Sequence, residues 1–113
     1  MSALQKKGWI AVAKVEDVVS GKPKVVEVSN LRIALVKVDT DSSSNHGIYA
    51  IQDICTHDDG PLAEGAVQGE EIECPRHGAR FNIKTGEVLS MPAITPVQIF
   101  PVRIHGSQVE IEV

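Results

Sequence analysis

Two short segments of this chain carry side chains able to bind a metal. The first is Cys55-Thr56-His57, continuing Asp58-Asp59-Gly60-Pro61-Leu62; the second is Cys74-Pro75-Arg76-His77-Gly78. Each supplies one thiolate and one imidazole at short spacing. Cys55 and Cys74 are the only two cysteines, and residues 58 to 73 separate the two pairs. A two-iron cluster needs two ligands per iron. If each loop gives its cysteine to one iron and its histidine to the other, both irons are complete only when both loops close on the cluster. Cys₂His₂ is also a tetrahedral zinc set, but zinc motifs usually pair like with like, as in C-x₂₋₄-C and H-x₃₋₅-H. Here cysteine alternates with histidine. The remaining histidines, His46 and His105, fall in turns and read as solvated loop residues.

The elements that must position these loops read as short strands with frequent turns. Gly8 to Lys14, Lys24 to Val28, Arg32 to Val38 and Ile48 to Ile51 are rich in β-branched residues. Ser20-Gly21-Lys22-Pro23 and Ser29-Asn30 are turn chemistry, and Asp39 to Gly47 is a polar, serine-rich loop. From Gln52 to Ala93 the pattern is irregular and rich in Gly, Pro, Cys and His. Short strands are expected inside it at Ala66 to Gln68, Glu71 to Glu73 and Arg80 to Ile83. Strict alternation then returns. Val102, Ile104, Val109, Ile111 and Val113 share one face, Arg103, Glu110 and Glu112 the other, with His105-Gly106-Ser107 as a hairpin turn. No helix-period segment stands out. The expectation is one all-β domain over 1–113, a β-sandwich or small barrel, with a loop-rich subdomain over about 52–93 mounted on it.

Composition narrows the function classes. With 113 residues, 42% hydrophobic and 23% charged, the chain is an ordinary globular domain. Its formal net charge of −4 argues against a nucleic-acid partner, since phosphate binding needs a basic patch. No apolar stretch approaches the length that spans a bilayer, and no signal peptide is visible, so a cytoplasmic protein without a membrane anchor is expected. There, cysteines near histidines suggest a metal more than a disulfide. Neither G-x-S-x-G nor G-x-x-x-x-G-K occurs, and no residue is expected to act catalytically.

The two segments resemble the Rieske family, whose signature is C-x-H, a spacer, then C-x-x-H-G. The resemblance extends to Pro75, to Gly78-Ala79-Arg80-Phe81-Asn82 and to Thr85-Gly86 behind it. It implies a [2Fe–2S] cluster with Cys55 and Cys74 on the inner iron and His57 and His77 on the outer, solvent-facing one. It also implies a proline-containing third loop over the cluster, for which Ser90-Met91-Pro92-Ala93 is in place. High-potential members of quinol-oxidising membrane complexes offer a serine and a tyrosine hydroxyl where this chain has Ala79 and Phe81. They also carry two further cysteines where this chain has Gly60 and Arg76. These departures resemble the low-potential, soluble branch.

The function that the resemblance implies is a ferredoxin, taking electrons from a flavin-dependent reductase and passing them to a terminal oxygenase or reductase. The alternative is a small Rieske subunit of a nitrite-reductase-like complex. An oxygenase in its own right would need a second domain with a mononuclear iron site. After His77 the only further histidine is His105, so that reading is set aside, and no small-molecule substrate is expected.

Overall fold

Ile33, Ala34, Leu35 and Val36 are apolar and buried in succession, which a strand with one solvent-facing side would not show. The architecture supplies the reason. The computed structural model describes residues 8–38, 46–55, 60–75, 78–91 and 95–113. Its strands are β1 (Trp9–Lys14), β2 (Lys24–Val28), β3 (Leu31–Lys37), β4 (Ile48–Gln52), β5 (Val67–Gln68), β6 (Glu71–Glu73), β7 (Arg80–Asn82), β8 (Val88–Ser90), β9 (Ile99–Phe100), β10 (Val102–His105) and β11 (Gln108–Glu112). A single 3-10 turn, Val15–Asp17, is the only helical element among the described residues.

The strands form three antiparallel sheets, ordered β1-β11-β10, β2-β3-β4-β9 and β5-β6-β7-β8. The second sheet lies between two cores. Ile33, Leu35, Ile48, Ala50 and Phe100 pack with Val109 and Ile111 of the first sheet. Ala34, Val36, Val38 and Ile51 pack instead with Leu62, Ile72, Phe81 and Ile83 of the loop-rich segment. β3 and β4 therefore bury both faces, and their side chains alternate between the cores as the two-residue strand period requires.

The all-β expectation holds, and the sheets are open rather than closed into a barrel. Strands expected from the sequence are found with small boundary shifts, whereas β8 and β9 were not anticipated. The Ser29-Asn30 turn joins β2 to β3 with both residues at positive φ (52° and 68°), the two-residue hairpin geometry that matches strand twist. In the last hairpin His105 pairs with Gln108, so Gly106 and Ser107 alone make the turn. Most of the serine-rich loop, residues 39–45, lies outside the described residues.

Candidate metal centre

The segment bearing Cys55 leaves β4 and the segment bearing Cys74 sits between β6 and β7, so each thiol is anchored by a strand whose apolar residues are in the core. Cys55 and Cys74 are both fully buried and belong to one apolar cluster with Leu62, Ile72, Ala79, Phe81 and Ile83. No disulfide joins them. The two loops are closed in the same way. The Cys55 N–H donates to the Gly60 carbonyl at 2.6 Å, and the Cys74 N–H donates to the Ala79 carbonyl at 2.7 Å. In both, the cysteine bonds to the fifth residue after it, and the expected histidine lies within the span. Gly78, at φ 77°, donates back to the Cys74 carbonyl at 3.0 Å and tightens the second loop. His57 and His77 lie outside the described residues, as do Arg76, Pro92 and Ala93. His46 and His105 are both exposed, as expected, though His105 ends β10 rather than lying in the turn.

The residues packed around the two cysteines have identifiable tasks. Ala79 and Phe81 are buried against the cysteines' core, and neither side chain carries a hydrogen-bond donor. Asn82 accepts from the N–H groups of Lys84 and Thr85 through Oδ1, shaping the turn between β7 and β8. Gly86 has φ +80°, and a Cβ there would lie 2.2 Å from the Val97 carbonyl oxygen. Only glycine fits both constraints. Ser90 Oγ accepts from the Arg80 N–H at 3.1 Å and donates to the Gly78 carbonyl at 3.4 Å, tying β8 to the segment that follows Cys74. Arg80 itself is half exposed beside Glu71 and Glu73, at 3.8 and 3.6 Å, so much of its charge is balanced locally.

One buried carboxylate escaped the sequence reading. Asp53 is 4% exposed and follows β4 directly. Its Oδ1 accepts from the N–H groups of Leu62 and Ala63 at 2.8 and 2.7 Å, and its Oδ2 accepts from Arg32 at 3.0 Å. A lone aspartate among 15 acidic residues gives no signal in one sequence, since most are solvated.

Two buried thiols, on loops of like construction that each include a histidine, are a donor set suited to an iron–sulfur cluster. Residues 8–101 match the Rieske [2Fe-2S] domain. The chain belongs to the Rieske family. Its resident group is one [2Fe–2S] cluster. The chain is 35% identical over 101 residues to the ferredoxin component of naphthalene 1,2-dioxygenase/salicylate 5-hydroxylase systems from Ralstonia sp, covering 89% of this chain and 91% of the relative. A ferredoxin structure from Sphingomonas yanoikuyae B1 superposes with a TM-score of 0.84 at 29% identity, covering 94% of this chain and 99% of the other. A chain in the complex of reduced oxygenase and oxidised ferredoxin of carbazole 1,9a-dioxygenase matches with a TM-score of 0.79 at 33% identity, covering 91% of each. A chain described as an NADH-dependent nitrite reductase small subunit, from Mycobacterium tuberculosis, gives a TM-score of 0.80 at 16% identity, which is a likeness of fold alone.

Proposed function

We infer that this Rieske protein is an electron carrier, a ferredoxin that passes single electrons from a flavin-dependent reductase to a terminal oxygenase. The observation that carries this reading is the match over nearly the full length of ferredoxin components, which leaves those relatives no additional catalytic domain. The carbazole complex, in which a ferredoxin meets its oxygenase, supports an oxygenase as acceptor. The reductase is the donor that such a chain requires, because the cluster must be re-reduced after each delivery. The nitrite-reductase-subunit alternative has only fold likeness behind it.

The assignment of ligands is part of the same proposal: Cys55 and Cys74 on the inner iron, His57 and His77 on the outer. Burial of both thiols in one core and the shared loop closure support it. When bound, the cluster supplies a one-electron acceptor, and the polypeptide holds, shields and orients it. The subdomain of about 52–93 is proposed as the cluster-binding unit within the single domain of 1–113. Cytoplasmic residence is proposed as well. A reducing compartment suits thiols kept for iron, and no described helix is long and apolar enough to cross a membrane.

The test is direct. The purified protein is expected to be red-brown, with about two irons and two acid-labile sulfides per chain. It should accept electrons from NAD(P)H through a flavoprotein reductase, pass them to a Rieske oxygenase, and oxidise no organic substrate alone. A colourless protein holding one zinc would overturn the reading.

A further inference from the structure

We propose that Asp53 is a positioning residue for the first ligand loop, its buried carboxylate fixing the loop's exit to the strand from which the loop departs. This deepens the proposed function and rests on Cys55 and His57 being ligands. Asp53 precedes Cys55 by two residues and is the only buried charged side chain among the described residues. Its backbone already continues the sheet, donating from N–H to the Arg32 carbonyl at 2.8 Å. The side chain is therefore not needed to join β3 to β4. What it adds is Oδ1, which takes the N–H groups of Leu62 and Ala63 on the far side of the loop. Leu62 is fully buried, so without this acceptor its N–H would be left unsatisfied.

The Arg32 contact is the weaker half. The Arg32 side chain is 55% exposed and that of Asp53 is 0% exposed, so water competes for the guanidinium but not for the Oδ1 bonds. The carboxylate thus holds both ends of the segment containing Cys55 and His57, while Cys55 N–H to Gly60 closes it internally. Two separate ties thus join the loop's entry, at Asp53 and Cys55, to its exit at Gly60, Leu62 and Ala63.

The experiment combines amide hydrogen exchange with cluster retention. In the wild-type holoprotein, the Leu62 and Ala63 amides should be protected. Bleaching of the visible absorption by a chelator should be roughly ten-fold or more faster in Asp53→Ala, with altered g values in the reduced state. Asp53→Asn keeps Oδ1 as an acceptor and should bleach within about three-fold of wild type. Arg32→Met should likewise retain its cluster. Wild-type bleaching and g values in Asp53→Ala would overturn the proposal, as would freely exchanging Leu62 and Ala63 amides in the wild type. If Asp53→Ala does not fold, Asp53→Asn decides: unprotected Leu62 and Ala63 amides with wild-type bleaching and g values, or cluster loss with both amides still protected, would overturn the proposal. Failure of the ligand assignment is read separately, as a wild-type protein lacking two irons.

Discussion

Ala79 and Phe81 pack in the core that contains both cysteines and bring no hydroxyl to it. Hydrogen bonds to sulfur stabilise the more negative, reduced cluster and raise its potential. Without these donors the midpoint is expected at the low end of the Rieske range, about −150 mV. Protein-film voltammetry should show a rise in Ala79→Ser and in Phe81→Tyr, each where its hydroxyl reaches a sulfur; no rise in either would assign the potential to backbone donors or solvent. Ligand substitutions separate the histidines. His57→Ala or His77→Ala should abolish the normal cluster, and His46→Ala or His105→Ala should leave its absorption intact. The doubled Cys/His pattern was legible because two rare residue types recur together, twice, at short spacing. Asp53 was not, because its task depends on Leu62 and Ala63 returning to it in space.

At the scale of elements, the segments bearing Cys55 and Cys74 meet through a close backbone approach. Gly65 follows the first loop's exit, and Glu73 immediately precedes Cys74. A Cβ at Gly65 would lie 1.8 Å from the Glu73 carbonyl oxygen. Next to this contact, the Glu73 N–H donates to the Ala66 carbonyl at 2.9 Å. Gly65→Ala must push the exit turn away from β6, at a cost of about 3 kcal/mol, the upper range for a single substitution. Denaturant unfolding should read that loss, and faster cluster release should accompany it because both loops shift. The sequence marked β5, β6 and β7 as short strands within an otherwise irregular stretch. It missed β8 and β9 for physical reasons. β9 is two residues long and followed by Pro101, and β8 carries a register shift against β7 between Arg80 and Phe81. Neither leaves a periodic trace, since their pairing is fixed by tertiary contacts.

For the whole molecule, the decisive feature is the central sheet with a core on each face. Strand spacing predicted sandwich or barrel without choosing, because closure depends on which edges meet, and alternation reports only which face a residue takes. The arrangement separates stability from redox chemistry. Ile111 is fully buried, in the core opposite the cysteines, with Leu35 and Val109 among its cluster. Truncating it removes buried methyl groups and leaves a cavity in that core, which costs about 2–5 kcal/mol. The thiols, Ala79 and Phe81 lie across β3 and β4 from that cavity. Effects at sites without shared partners act nearly independently. Ile111→Ala should therefore lower the denaturation midpoint clearly while leaving the reduction potential and the reduced-state g values unchanged. Ile72→Ala, which removes a fully buried side chain from the cysteines' own core, should change both. Anaerobic denaturation and voltammetry on the two variants measure this directly. A potential shift in Ile111→Ala as large as that in Ile72→Ala would mean that strain crosses the central sheet, so that the two cores act as one.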